Sequence, residues 1–166
     1  KVPLLYRWED GYMPALSLAL AAADLKVDPA QIEIDAGSHI LLPVKNGGSV
    51  RIPVDEAGFA WIPYPCLWQQ GWKRIPLDAV VEAAKSSEGR SSLVEQWTDG
   101  IVLSADLTTS HKDFGSTPLE AVYPLSGIHT SMLNGMLTGT FYRPVQLLWK
   151  TALLIVLFFA LTALAG

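Results

Sequence analysis

The clearest pattern of hydrophobic and polar positions lies at the end of the chain, in RPVQLLWKTALLIVLFFALTALAG. No charged residue follows Lys150, and apolar side chains fill most positions on every side of a predicted helix. A helix needs about 20 mostly apolar residues to cross roughly 30 Å of hydrocarbon, a length that residues 145–166 meet. The pattern therefore predicts a transmembrane helix over residues 145–166, with membrane lipid as its partner.

Aromatic and basic residues flank the start of this predicted helix. Tyr142 and Trp149 are of the types that favour a membrane boundary, and the long stem of Lys150 lets its ammonium reach the headgroups. A helix buried in a protein core is the alternative, because it is also apolar all round. The chain starts at Lys1 and ends inside the apolar run, so we expect a piece of a longer protein with this helix truncated.

Shorter patterns in the first 144 residues predict helices with proline or glycine at their boundaries. The segment GYMPALSLALAAADL predicts a helix that begins at Pro14, and IPLDAVVEAAK predicts one that begins at Pro76. The segment SGIHTSMLNGMLTG predicts a helix from about His129 to Leu137, with Gly139 as its stop signal.

Strand patterns separate these helices, in QIEI, SHILLPV, SVRIPVDEAGFAWIPY and GIVLSA. The third segment predicts a hairpin whose turn ends at Gly58, with Pro53 and Pro63 confining its strands to an edge. The apolar run at Ile101 to Leu103 predicts a strand buried on both faces. We therefore predict an α/β fold, a mixed sheet with flanking helices in one domain over residues 1–144, followed by the transmembrane helix.

Composition and charge narrow the function classes. The net charge is −4 and the Lys and Arg residues form no cluster longer than a pair, which argues against nucleic acid as a partner. The single cysteine, Cys66, excludes a disulfide within this piece. With only three histidines beside it, a four-ligand zinc site is not expected, and we predict no metal and no cofactor.

The last third of the chain supports a comparison with a known family. The segment IVLSADLTTSHKDFGSTPL, then YPLSGIHTSMLNGMLTGTFYRP and an apolar helix, resembles the C-terminal part of CHASE2 domains and the first membrane helix after them. The matching positions are Ile101 to Leu103, Asp113, Thr117, Pro118, His129, Gly139, Phe141, Arg143 and Pro144. Two departures are that Ser104-Ala105 replaces the family's Ile-Gly and that Gly127 stands where the family has Glu.

CHASE2 domains are extracytoplasmic sensory modules of bacterial nucleotide cyclases and protein kinases. The resemblance implies that residues 1–144 are the C-terminal portion of such a module, on the periplasmic side of the bacterial inner membrane. It also implies that residues 145–166 lead to a cytoplasmic output domain, a nucleotide cyclase or a protein kinase. We expect a homodimer that responds to a small-molecule or physical stimulus of unknown identity.

The loop after the predicted buried strand holds most of the candidate ligand site, because loops at the carboxyl ends of strands in α/β sheets tend to bind ligands. We predict ligand binding by Asp113, Thr117 and His129. Asp113 can accept hydrogen bonds or pair with a ligand cation. A turn or cap role for Asp113, an extended turn at Thr117-Pro118, and a backbone hydrogen bond for His129 stay open as alternatives.

Two other classes of function compete with a sensor. A membrane-anchored assembly module would hold subunits together without a small ligand. A hydrolase is the third possibility, because the same loop holds Ser, Asp and His residue types. No Gly-x-Ser-x-Gly elbow frames Ser104 or Ser110, so we predict no catalytic residue in this piece.

Overall fold

The fold is that of a computed structural model, which describes residues 1–45, 47–107, 113–143 and 147–165. Its strands are β1 (Val2–Pro3), β2 (Leu5–Trp8), β3 (Gly11–Pro14), β4 (Glu33–Asp35), β5 (His39–Val44), β6 (Gly48–Pro53), β7 (Phe59–Ala60), β8 (Phe114–Gly115) and β9 (Tyr123–Pro124). Its helices are α1 (Leu16–Asp24), α2 (Trp68–Gly71), α3 (Leu77–Ala84), α4 (Ser87–Trp97), α5 (Leu125–Thr138) and α6 (Leu147–Ala165), with a short 3-10 turn at Pro29–Gln31. The predicted mixture of helices and strands is confirmed.

The strands do not form the single mixed sheet that the sequence predicts. In the described residues they form four small antiparallel sheets, in the orders β1-β7, β2-β3, β4-β5-β6 and β8-β9. Short connections join β2 to β3, β4 to β5 and β5 to β6, and such connections favour antiparallel neighbours, whereas parallel pairs need a long crossover. The mixed sheet was therefore wrong, although the α/β content was right.

The predicted hairpin in residues 49–64 is also wrong, although its turn is present. Gly58 has φ +77° and donates its N–H to the carbonyl of Asp55, and the Asp55 side chain accepts hydrogen bonds from Ala57 N and Phe59 N. The strands on either side then separate, because β6 pairs with β5 and β7 pairs with β1. Pro53 ends the edge strand β6 as predicted, and Pro63 lies outside the strands.

The strand predicted at Ile101 to Leu103 is absent. The described residues between α4 and β8 contain no strand, and Val102 is 57% exposed. A strand is stabilised by hydrogen bonds to a neighbour, and no described strand runs beside this segment. Ile101 packs against the core without a ladder partner.

The helix boundaries differ from the predictions by up to four residues. Pro14 pairs with Leu5 in the β2-β3 ribbon, so α1 begins at Leu16. Helix α3 begins directly after Pro76, and α5 begins earlier than predicted but ends at Gly139, which adopts the left-handed conformation with φ +68°.

Helix α4 has no counterpart among the predicted elements. Its sequence is polar, with serines and a glycine in the first turns, and none of its residues is buried. The helix begins at a side-chain cap, in which Ser86 Oγ accepts a hydrogen bond from Gly89 N at 2.9 Å. A cap of this type, rather than a hydrophobic stripe, is the signal that marks the helix in the sequence.

The hydrophobic core lies between α1, α5 and the β4-β5-β6 sheet. Its largest fully buried side chains are Leu4, Leu18, Ile40, Leu42, Ile52, Met132 and Met136. Helix α5 contributes both methionines, and the shape of this unbranched side chain adapts to irregular gaps. Helix α5 is therefore packed into the centre of the domain, while its C-terminal end leads toward α6.

Helix α6 lies outside this core. Its described side chains from Trp149 to Leu164 are exposed on every face, with Leu153 70% and Phe158 64% accessible. The alternative of a buried core helix is therefore not what the structure shows. No helix in the described part of the chain meets the combined length and hydropathy of a membrane span. Pro144 and Val145, at the predicted domain boundary, lie outside the described residues.

Candidate functional site

The predicted site residues belong to one local unit, formed by β8, β9 and α5. Phe114 pairs with Pro124 and Gly115 pairs with Tyr123 in a short antiparallel ribbon. The carbonyl of Asp113 accepts a hydrogen bond of 2.9 Å from the N–H of Leu125, the first residue of α5. Asp113 therefore lies beside the start of the helix that carries His129.

Thr117 lies in the loop between β8 and β9 and uses its polar groups within that loop. Its Oγ1 accepts hydrogen bonds from Glu120 N at 3.1 Å and Leu119 N at 3.3 Å. Its own N–H donates to the carbonyl of Glu120 at 2.8 Å. These bonds close a tight turn after Pro118, so the structure favours the turn alternative for Thr117.

Asp113 presents an exposed side chain at the beginning of β8. Its backbone carbonyl is bonded to α5, but its carboxylate makes no hydrogen bond or ion pair with the residues that the structure describes. The side chain does not cap a helix within this part of the chain. The carboxylate is therefore accessible to a cationic or hydrogen-bond-donating ligand.

His129 lies one turn into α5 and is half-buried. Its Nδ1 is buried and has no hydrogen-bond partner in the described part of the chain, and the same holds for Ser126 Oγ on the preceding turn. Residues three apart on a helix are neighbours on one face. A buried polar atom without a partner costs free energy, so a ligand, a water molecule or another chain that supplied one would be favoured.

The three predicted residues share a region but do not form one cluster. No hydrogen bond or ion pair joins the side chains of Asp113, Thr117 and His129 among the described residues. Ser110 and His111, which the hydrolase alternative needs, lie outside the described residues. Within the described ranges, no group of three or more His, Cys, Asp or Glu side chains could hold a metal ion.

Comparison with known families decides the class of this domain. The family model for the CHASE2 domain matches residues 1–166, the whole chain. The chain belongs to the CHASE2 family. CHASE2 is a family of extracytoplasmic sensory domains, so the chain is assigned to that sensory class. No match was found among curated proteins or among solved structures.

This CHASE2 domain has no room for a side chain at Gly127, where the resemblance places a glutamate in other members. A Cβ atom there would lie 2.6 Å from the ring of Tyr123 and 2.9 Å from the ring of Trp68. Both distances are below any ordinary carbon contact, so a side chain would displace the two rings. A larger residue at this position therefore requires Tyr123 and Trp68 to move.

An aromatic cluster that the sequence did not predict fills the place of that side chain. The ring of Tyr123 meets the rings of Tyr64 and Trp68 edge to face, at centroid distances of 5.4 and 5.8 Å. Glu120 Oε2 accepts a hydrogen bond of 2.6 Å from the N–H of Trp68, which joins the β8-β9 loop to α2. Trp68 is therefore packed within the domain.

Burial within the cluster alters one titratable group. Desolvation raises the pKa of Tyr64, and the neighbouring Tyr123 raises it further. Cys66, the single cysteine, is half-buried and free, and it packs closely against Gly71. Among the described residues, no hydrogen bond, ion pair or ring contact joins Tyr64 or Cys66 to Asp113 or His129.

Proposed function

We propose that this CHASE2 domain is the extracytoplasmic sensor of a membrane-bound bacterial signalling receptor. In this proposal a stimulus acts on the globular part in the periplasm and α6 passes the response to a cytoplasmic output domain, a nucleotide cyclase or a protein kinase. The observation that carries the proposal is α6, an apolar helix with exposed side chains on every face, in a chain of a sensory family.

The exposure of α6 favours lipid as its surroundings. Large apolar side chains such as Leu157, Phe159 and Leu161 are more than half exposed, and contact with water would be unfavourable over their whole area. Lys150 lies in the first turns of the helix, where its ammonium can reach lipid headgroups. We propose that α6, together with flanking residues of 145–166, lies in the inner membrane.

The connection between α5 and α6 is short enough to pass on a movement. Helix α5 is packed into the core through Met132 and Met136. It ends at Gly139, and only residues 140–146 separate that glycine from α6. A short connection that contains proline transmits displacement better than a long flexible linker does. A ligand that prefers one of two arrangements by a few kcal/mol would then shift the population at the cytoplasmic end.

The unpartnered atoms of α5 support a ligand site near the start of that helix. His129 Nδ1 and Ser126 Oγ lack partners in the described part of the chain. The side chain of Asp113 is exposed, and its carbonyl is bonded to the N–H of Leu125 at the start of the same helix. We propose that a polar ligand bonds to His129 and Asp113, while Thr117 shapes the adjacent loop. The stimulus itself is proposed only as a small polar molecule.

A thermal-shift screen of the full chain in a nonionic detergent tests the sensor proposal. A specific ligand at 100 times its dissociation constant should stabilise the fold by about 2.7 kcal/mol. The variants His129→Ala and Asp113→Ala should lose that stabilisation, whereas the control Asp10→Ala, at an exposed turn, should keep it. A ligand whose effect survives in both site variants would contradict the proposed site but not the sensing role.

The topology is tested separately in cells. In spheroplasts, protease added outside should digest the globular part, and carbonate-washed membranes should retain a fragment that contains α6. Digestion that occurs only after lysis would reject the periplasmic placement.

An assembly module is the second candidate, and the β2-β3 ribbon favours it. Trp8 and Tyr12 are each 65% exposed on this two-stranded ribbon, and Tyr6 and Met13 beside them are also exposed. An exposed group of this kind is typical of interaction surfaces. An assembly module should show a melting temperature that rises with protein concentration and responds to no small compound, whereas a sensor should respond to a compound at constant protein concentration.

A further inference from the structure

A pocket at the end of α5 carries two arginines and lies apart from Asp113 and His129. Its volume is about 270 Å³ and it is lined by Ser49, Val50, Arg51, Gly139, Phe141 and Arg143. Arg51 comes from the edge strand β6, and Arg143 comes from the segment that leads from α5 toward α6. Two elements that are far apart in sequence therefore bring two arginines to one cavity.

The described residues give the two arginines of this pocket no ion-pair partner. In the part of the chain that the structure describes, no ion pair joins Arg51 or Arg143 to a carboxylate. The Asp35 carboxylate lies 3.6 Å from His39 Nδ1 and is in no ion pair with either arginine. Two arginines that line one cavity without an ion pair, in a chain with net charge −4, give this cavity a local positive charge that favours an anion.

The pocket is held in shape by the domain around it. Val50 and Phe141, which line it, pack against the hydrophobic core. Arg51 Nη2 lies 3.2 Å from His39 Nδ1, and because arginine can only donate, this nitrogen accepts the hydrogen bond. His39 thus orients Arg51, while the remaining N–H donors of the guanidinium stay available to a ligand.

The size and the donor set identify the class of ligand. A volume of 270 Å³ is below the range of about 300–1,000 Å³ that is common for drug-sized ligands, so the site suits one headgroup-sized anion. The planar guanidinium group of arginine can donate two parallel hydrogen bonds to phosphate oxygens. Two such groups from different elements suit a tetrahedral anion, because its oxygens point in several directions. Ser49 lines the same cavity, and a serine hydroxyl is a further type of donor.

We infer that Arg51 and Arg143 form a binding site for a phosphate group. The phosphate can belong to a soluble anion or to the headgroup of an anionic phospholipid. The second source depends on the proposed membrane position of α6, because residues 144–146 alone separate Arg143 from that helix. The first source does not depend on the proposed function.

The test uses the full chain and reads its melting temperature from tryptophan fluorescence. One arm adds inorganic phosphate, or glycerophosphoglycerol, to the chain in nonionic detergent. The other arm compares the chain in phosphatidylcholine nanodiscs with and without phosphatidylglycerol. The variants are Arg51→Gln and Arg143→Gln, and the matched control is Arg7→Gln, which changes the net charge equally at an exposed residue of β2.

If Arg51 and Arg143 bind phosphate, the added phosphate compound or phosphatidylglycerol should stabilise the wild type and Arg7→Gln in at least one arm. Arg51→Gln and Arg143→Gln should each bind that phosphate group about tenfold or more weakly than the wild type does. A response in detergent identifies a soluble phosphate, and a response only to phosphatidylglycerol identifies the lipid headgroup. No response in either arm, or an equal loss in Arg7→Gln and the pocket variants, would overturn the inference. Circular dichroism of each variant at low temperature checks that the fold is retained.

Discussion

The hydroxyl oxygen of Tyr123 and the Oγ of Ser131 lie 2.9 Å apart, and both side chains are fully buried. Tyr123 belongs to β9 and Ser131 lies in the middle of α5, so this hydrogen bond joins the strand to the helix that follows it. Tyr123 also contacts the rings of Tyr64 and Trp68, so this hydrogen bond joins the aromatic cluster to α5.

The first prediction concerns the loss of this bond. Tyr123→Phe keeps the ring and its contacts but leaves Ser131 Oγ buried without a partner. The free energy of unfolding should fall by about 1–3 kcal/mol, because the remaining polar atom is desolvated and unpaired. Urea unfolding of the full chain in detergent, monitored by tryptophan fluorescence, measures the change.

The double variant Tyr123→Phe/Ser131→Ala is the control for this interpretation. Removing both polar groups should recover part of the stability lost in the single variant, so the two effects should not add. Strictly additive losses would show that the two hydroxyl groups do not stabilise the fold as a pair.

The second prediction concerns the glutamate that the resemblance places at position 127 in other members. Gly127→Ala should destabilise the fold by about 1–3 kcal/mol, because the added Cβ would push the rings of Tyr123 and Trp68 apart. Gly127→Glu should destabilise it further. Gly48→Ala is the matched control, since nothing lies within 4 Å of a Cβ at that position. Equal stability of Gly127→Ala and Gly48→Ala, measured by urea unfolding, would contradict the close packing.

Local chemistry made several elements predictable from the sequence. Pro76 at the start of α3 and Gly139 at the end of α5 mark boundaries through restricted φ and through a left-handed conformation, and both effects depend only on neighbouring residues. The Asp55–Gly58 turn was predictable for the same reason. The partner of β7 was not predictable from neighbouring residues, because β7 pairs with β1, which lies more than fifty residues earlier in the chain.

The candidate site was predictable in region but not in detail. The residues matched to the CHASE2 family pointed to Asp113, Thr117 and His129, and the structure places them in one β8-β9-α5 unit. Which polar atoms remain unpartnered depends on packing between elements, and no local pattern encodes it. The pocket of Arg51 and Arg143 was missed for the same reason, since two arginines on distant elements leave no spacing signal.

The third prediction concerns alkaline pH. Because burial raises the pKa of Tyr64, the unfolded chain loses this proton near the ordinary tyrosine pKa of 10.0 while the folded chain keeps it. The stabilising contribution is complete below that pH and is lost as pH rises toward the folded pKa. In melts between about pH 9 and about pH 11, Tyr64→Phe should therefore lose less stability than the wild type. The control Tyr12→Phe, at an exposed tyrosine, should follow the wild type, and parallel curves for all three would reject the assignment.

The fourth prediction tests whether lipid surrounds α6. Leu157 and Leu161 lie one turn apart near the middle of the apolar run, and both are exposed. Each acidic side chain placed there should cost about 2.5–3.5 kcal/mol for insertion into a bilayer, so Leu157→Asp/Leu161→Asp should leave the carbonate-washed membrane fraction. The control Leu77→Asp/Val94→Asp adds the same charge at exposed apolar residues of α3 and α4 and should remain in the membranes. Equal membrane retention of both double variants would mean that α6 does not anchor the chain, and transmission through this helix would then have no physical basis.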